Sequence, residues 1–383
     1  MKIVHIADVH WRSLQRHEEY RSCFENMFKQ CREINPDAIV VAGDIVHSKT
    51  QGISPELIDI LNWWFTEMHK ICPVHVMLGN HDGLVLNTDR QDAISPILRA
   101  LNLPRVYLYK DTGVYADKHM PDVEWCVYSP FDTLKYDDLQ PSGNKPISIA
   151  LYHGSVWGSH TDSDFMLEGE TKMSRFKEFT FTMLGDIHKR QQMDAEGRIH
   201  YCGSTIQQNY GESGEKGFLV WDISGPDDWN IEFYPVKHDN PFVTVDWQGN
   251  IVKTIDACIE SWPAGARYRI RAQEQLDPKT QRKLSTALRR EYNAFEVVFK
   301  LVSKNSYDSE DREIEKLEVL NLSDNETHKK LLREYGADEG HDDVFWLECD
   351  EIMDKTIKDL DYTIPAAKKW SLKKMNFDNT FGY

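Results

Sequence analysis

The chain of 383 residues contains no apolar run of 18 residues, the length a membrane-crossing helix needs. Its first strand-like run, KIVHIAD, is broken by His5 and Asp8 and is too short for the apolar stretch of a secretory signal, so a cytoplasmic location is expected. There is no C-x-x-C pair. Cys23, Cys31, Cys72, Cys126, Cys202, Cys258 and Cys349 are scattered and odd in number, which points to reduced core thiols rather than disulfides or zinc. Neither an internal repeat nor a low-complexity tract is visible. Positive charge is also scarce: 45 Lys and Arg face 62 Asp and Glu, a net charge of -17. The excess is concentrated in residues 304–361, where 19 acidic side chains meet eight basic ones. Such a segment reads as a solvated face or flexible arm, or more sharply as a docking arm for a basic partner.

What is present is enough apolar sequence, 40%, for one large domain or two with a well-buried core. The first half alternates strand and helix. KIVHIAD ends at Asp8, a helical pattern runs from about Glu18 to Arg32, and DAIVVAGD ends at Asp44. Ser54 as N-cap and Pro55 at the first helical position open the next helix, and PVHVMLGN makes a third strand ending at Asn80. Ligands of open α/β sheets bind beyond the carboxyl ends of the strands, so Asp8, Asp44 and Asn80 are expected in one crevice. The runs VEWCVYSPF, ISIALYHGS, FTFTMLGDIH, RIHYCGS, GFLVWDIS and WNIEFYPV have few helices between them and suggest a second, mixed or antiparallel sheet. The expected architecture is α/β: two sheets packed face to face and flanked by helices. From about Asn240 the pattern resets to a small α+β module, and after Val302 come acidic helix candidates and the tail KKWSLKKMNFDNTFGY.

Five segments place metal-compatible groups at strand ends: ADVH (Asp8, His10), GDIVH (Asp44, His47), GNHD (Asn80, His81), YHG (His153) and GDIH (Asp186, His188). Each is weak alone, since Gly-Asp is a common turn and a strand-end histidine is usually structural. Their order, each after an apolar strand, makes the set specific. Asp, Asn and His without cysteine suit hard-to-borderline divalent ions, manganese ahead of magnesium, and the donors outnumber the needs of one ion. A pair of ions fits phosphoester hydrolysis, where one side activates water and the other stabilises the leaving oxygen. His5, His69, His75, His160 and His341 lie outside such turns and read as core or surface residues.

ADVHW, VVAGDIVH, LGNHD, LYHGSV, LGDIHKRQ and YCGSTIQQNYGE together resemble the calcineurin-like metallophosphoesterase superfamily, and within it the SbcD/Mre-type nuclease subunits of double-strand-break repair. TIQQNYGE and a divergent fifth motif look like the bacteriophage recombination-endonuclease branch. The resemblance covers most of residues 1–240. It implies a nuclease domain over 1–240, a capping, DNA-binding domain over 241–303 and an acidic segment over 304–383 docking an SMC-like, SbcC-type ATPase, the last two by position only. It also implies a homodimer within a heterotetramer acting on DNA.

By the same resemblance, Asp8, His10 and His188 hold the first ion, Asn80, His153 and Asp186 the second, and Asp44 bridges. His81 is then left for the leaving 3′ oxygen. His47 resembles a further histidine near the scissile phosphate, or is a turn-stabilising residue behind the ligands. Asp186 departs from relatives, which usually carry histidine there; it is a ligand or a carboxylate orienting His188. Trp11, Arg12, Lys189 and Arg190 follow ligand candidates directly and either touch DNA at the rim or belong to solvated turns. A chain this anionic is expected to bind DNA weakly without a partner. Competing readings are a small-molecule phosphodiesterase and a non-catalytic scaffold. A protein phosphatase is disfavoured because His47 and Ser48 stand where an Asp and Arg would follow the second motif.

Overall fold

The computed structural model describes residues 1–302 except 48–52, 86, 88–89, 170 and 263. The acidic segment 304–383, with His341, Cys349 and the tail MNFDNTFGY, lies outside the described residues, as does the ATPase docking expected of it.

The chain opens with β1 (Lys2–Ile6), α1 (His17–Ile34), β2 (Ala38–Ala42), α2 (Pro55–Ile71), β3 (Val74–Met77), α3 (Ser95–Leu101) and β4 (Val106–Tyr109). β1 to β4 pair in parallel. Both faces of these strands are covered, so they read as continuous apolar runs rather than alternating ones. Val4, Val41 and Val76 face α1 and α2, while Ile3, Val40 and Met77 face the second sheet. α2 begins as its sequence dictates: Ser54 Oγ accepts the Leu57 amide at 3.1 Å and Pro55 takes the first helical position.

The second sheet holds β5 (Gly113–Ala116), β6 (Val123–Tyr128), β7 (Ile147–His153), β8 (Phe181–Gly185), β9 (Gln191–Gln192) and β10 (Ile199–Tyr201), in the order β5-β6-β7-β8-β10-β9. It is mixed, with parallel β6, β7, β8 and β10 and antiparallel edges. One expectation needs correction. GFLVWDIS and WNIEFYPV form β11 (Gly217–Gly225) and β12 (Asp228–Pro235), which extend the first sheet, not the second. β11 pairs antiparallel with the open edge of β1, so its apolar run is buried between β1 and β12. β12 is the edge strand and alternates accordingly, with Trp229, Ile231 and Phe233 turned toward the inter-sheet core. Cys23, Cys31, Cys72, Cys126, Cys202 and Cys258 are all buried thiols.

Beyond β12, β13 (Phe242–Asp246), α4 (Ile251–Ser261), β14 (Arg267–Ala272), α5 (Pro278–Glu291) and β15 (Glu296–Leu301) make a three-stranded parallel sheet with a small core of its own. Asn250 and Asp277 cap the two helices. This module is seated on the larger body by buried charge. Arg267 of β14 makes a two-pronged ion pair with Glu19 of α1, whose carboxylate also takes Arg16 Nε at 2.9 Å. The guanidinium groups of Arg16 and Arg267 each lie 4.9 Å from the Phe242 ring centre.

Removing one member of a buried pair strands the other. Glu19→Ala is therefore expected to cost about 3–5 kcal/mol, read as a lowered midpoint in thermal denaturation. A midpoint equal to wild type would show that Arg267 does not hold the seat.

Candidate metal centre

The site is built where strands of the two sheets end side by side. After β1 and β2 the chain runs as two zipped turns: the amides of Asp8, His10 and Trp11 donate to the carbonyls of Gly43, Asp44 and Ile45 at 3.1, 3.0 and 2.8 Å. Asp8, His10 and Asp44 all sit at φ 52, and Asp186 at φ 93. Left-handed backbone is uncommon outside glycine, and four such residues in one cluster mark a place where side-chain direction outweighs backbone comfort.

His153, at the end of β7, is the hub. A methyl group on Gly43 would lie 2.2 Å from its Nδ1, one on Gly79 would lie 2.7 Å from its Nε2, and one on Gly185 would lie 2.8 Å from Nδ1. The glycines of all three Gly-Asp and Gly-Asn turns thus make room for one imidazole. His153 Nδ1 is 2.7 Å from the Ala42 carbonyl, which can only accept, so that nitrogen carries the hydrogen. Nε2 then faces Asp44 Oδ1 at 3.2 Å and Asp186 Oδ1 at 3.7 Å. In the neutral ring that nitrogen would turn a lone pair toward two carboxylates, so the arrangement requires a positive charge there, a proton or a divalent ion.

Around this hub Asp44 presents its two oxygens to different neighbours. Oδ1 also accepts the His81 amide at 2.8 Å, while Oδ2 lies 3.7 Å from His10 Nε2 and 4.0 Å from His81 Nε2. His10 Nε2 in turn lies 3.0 Å from His188 Nε2. Candidate donor atoms of Asp8, His10 and His188 lie within 4.8 Å of one another, as do those of His10, Asp44 and His81, and those of Asp8, Asp44 and His153. Two donors each about 2.1 Å from one ion lie about 3.0 Å apart at right angles and about 3.4 Å at the tetrahedral angle. The two shortest spacings, 3.0 Å between His10 and His188 and 3.2 Å between His153 and Asp44, match such edges, and the donor set present fits divalent ions.

The electrostatics agree with that fit. Burial works against ionising Asp44, but His153, His81 and His10 outweigh it and hold its carboxyl well below the usual range. Burial pushes Asp8 up to about 6, against the pull of His153 and His188. Burial would neutralise His153, yet Asp44, Asp186 and Asp8 hold it protonated well above the ordinary histidine range. His47, whose ring centre is 5.6 Å from that of His10 and 6.2 Å from that of His81, is lowered to about 4 by burial and by Arg12, so it is neutral at pH 7.

Every ligand candidate, Asp8, His10, Asp44, Asn80, His153, Asp186 and His188, stands at these strand ends, and His47 and His81 flank them. The rim expectation fails for Trp11, which is fully buried against Tyr20, Phe24 and Trp64 under α1 and α2. It follows His10 on a turn whose side chains alternate between site and core, so its indole fills the core. Arg12 is half-buried. Lys189 is ion-paired with Asp164, and Arg190 with Glu215 at 3.4 Å while lying 4.0 Å from the Phe233 ring centre.

Two residues outside the expected ligand set complete the centre. Asp82, the last residue of GNHD, is fully buried and accepts the amides of Ile45 and Val46 at 2.9 Å each and of Gly79 at 2.8 Å, tying the second turn to the third. Its place next to His81 in a short polar motif was the available signal. Glu212, the last residue of TIQQNYGE, is buried with Oε1 2.8 Å from His188 Nδ1. The aromatic-Gly-Glu ending of that stretch, which resembles a pattern that closes the site, was the available signal.

Because His153 holds a proton near neutral pH and Asp8 holds one below about 6, a divalent ion must displace protons to bind. Manganese calorimetry in buffers of different ionisation enthalpy is expected to show release of about one proton at pH 7, rising below pH 6, with affinity falling as pH falls. Uptake at pH 7 without proton release would contradict a protonated His153.

The comparisons bear on the same residues. Residues 1–190 match the family model described as calcineurin-like phosphoesterase. An uncharacterized protein of Acanthamoeba polyphaga mimivirus is 30% identical, over 100% of this chain and 29% of its own length. The DNA double-strand break repair protein Mre11 of Archaeoglobus fulgidus is 26% identical, over 56% of this chain and 52% of its own. The chain thus spans about half or less of these relatives. Among solved structures, the calcineurin-like phosphoesterase YfkN of Bacillus subtilis is similar over 62% of this chain and 90% of its own, with 12% identity and a TM-score of 0.35. With its family match reaching from β1 through the last candidate ligand, the chain belongs to the calcineurin-like phosphoesterase family.

Proposed function

We propose that this chain is a two-metal DNA nuclease, a 3′–5′ exonuclease on duplex DNA and an endonuclease on single strands, serving double-strand-break repair and recombination beside an SMC-like ATPase. The observation that carries the hydrolytic part is the cluster itself, with Asp44 presenting one oxygen toward His153 and the other toward His10. In this reading Asp8, His10 and His188 would hold one ion and Asn80, His153 and Asp186 the other, with Asp44 available to both. When bound, divalent cations supply Lewis acidity toward phosphate and water.

The chain's own residues do the rest. His81 donates Nδ1–H to the His47 carbonyl at 2.6 Å, which sets its ring so that Nε2 points back toward Asp44 and the site. In its imidazolium form that nitrogen can give a proton to the leaving oxygen. Asp82 holds the loop that carries His81 against the loop that carries Asp44. The extra carboxylate at Asp186, where relatives usually carry histidine, adds negative charge and favours a hard ion, manganese or magnesium.

DNA as substrate is supported by the resemblance of the motif set, by the similarity to Mre11 and by one feature of α5. Lys279, Arg282, Lys283, Arg289 and Arg290 are all exposed on that helix, opposite the buried Leu284 and Leu288, with no ion pair to any described residue. Separated by three, one, six and one positions, they share one face and make a basic stripe about 17 Å long, which suits a phosphate backbone. On a chain with net charge -17, a local stripe of this kind serves an ATPase-assisted complex better than stand-alone binding.

Incubation of the full chain and a candidate ATPase with 3′-recessed linear duplex, a p-nitrophenyl phosphodiester and a phosphoprotein, each with manganese, tests the proposal. Manganese-dependent shortening of the duplex is expected. His81→Asn should lower its rate by about 10²–10⁴-fold while ion uptake is retained. Hydrolysis confined to the small ester would replace the nuclease reading with a small-molecule phosphodiesterase.

A further inference from the structure

Behind His188 lies a chain of buried charge that the reaction does not touch. His188 Nδ1 is 2.8 Å from Glu212 Oε1. The other carboxylate oxygen, Oε2, takes Ser204 Oγ at 3.1 Å, the Gln208 amide at 3.1 Å and Lys216 Nζ at 2.9 Å. Lys216 Nζ also donates to Asp162 Oδ2 at 3.1 Å and to the His188 carbonyl at 3.0 Å. Exposure of the Glu212, Lys216 and Asp162 side chains is 1%, 3% and 4%. Burying three charges is costly, and five contacts, from His188, Ser204, Gln208, Asn209 and Lys216, converge on this one carboxylate at the back of a single imidazole.

We infer that Glu212 is a positioning residue for the metal centre: with Lys216 behind it, it fixes the tautomer and angle of His188 and so sets the affinity of one of the two ions. The carboxylate can only accept, so His188 Nδ1 carries the hydrogen and Nε2 is left as a bare donor turned toward His10 Nε2. A carboxylate behind a ligating imidazole also makes the far nitrogen a stronger donor. Lys216 acts twice, pairing with the Glu212 carboxylate at 2.9 Å and gripping the His188 carbonyl at 3.0 Å, so ring and main chain are held from the same side. Asp162 reaches Lys216 from the loop between β7 and β8 and accepts the Ser213 amide at 3.1 Å, which pins the turn that carries Glu212. The arrangement favours one ion over the other, since among the ligand candidates only His188 has its ring bonded to Glu212.

The inference rests on the two-ion reading of the site. Its test is manganese titration of the full chain by calorimetry and electron paramagnetic resonance, for wild type and for Glu212→Gln. Glutamine keeps the shape and one acceptor but removes the charge. The variant is expected to bind one ion about 10- to 100-fold more weakly and the other within about twofold of wild type. Glu212→Ala should widen the gap, and should it fail to fold, the glutamine variant decides. Two ions bound equally well by wild type and Glu212→Gln would overturn the role of Glu212 alone. A wild-type chain that takes up no manganese would overturn the two-ion reading and this inference with it.

Discussion

A carboxylate buried at the seam of two β-sheets needs positive charge beside it, and Asp44 is that carboxylate. Its exposure is 2%, and its nearest side-chain neighbours are the imidazoles of His153, His10 and His81. Much of the fold can be understood as what this arrangement requires. Parallel strands β1, β2 and β3 bring three turns to one edge, β7 and β8 bring His153, Asp186 and His188 to the facing edge, and the bare glycines of the turns let the edges close around one ring. Left-handed backbone at Asp8, His10, Asp44 and Asp186 is tolerated because cross-turn hydrogen bonds over-determine it.

The centre was legible in the sequence to the extent that it lies in short turns after apolar runs. Those runs form strands because both faces are covered, and open α/β sheets place ligands at strand ends, so Asp8, Asp44 and Asn80 could be expected together. His153 and Asp186 follow from the same logic applied to β7 and β8. Glu212 was legible only in part: the aromatic-Gly-Glu that ends TIQQNYGE resembles a pattern that closes the site, but only the fold reveals that its carboxylate is buried against His188 and Lys216. Trp11 misled for the opposite reason. Its neighbour His10 points into the site, and sequence adjacency hides that the next side chain points into the core.

The sheet to which β11 and β12 belong was illegible for a topological reason. Strand patterns tell which faces are buried, not which edge a strand joins. β11 is a late strand that returns to the first, pairing with β1 across more than 200 residues, as Lys2 with Asp222 shows. That return matters for the site. It places residues 201–212, just before β11, alongside Ala7, which bridges to Ser204, and so sets Glu212 behind His188. The same stretch holds the small C-terminal module, since Gln207 exchanges hydrogen bonds with the Phe242 backbone and Tyr210 with Glu296.

The central proposal is that Asp44 would serve two divalent ions. Anomalous diffraction from crystals of the full chain soaked in manganese tests it most directly. The account predicts two peaks about 3.5–4 Å apart with the Asp44 carboxylate between them, one beside His188 and one beside His153. A single peak, or a pair that leaves Asp44 outside, would contradict it.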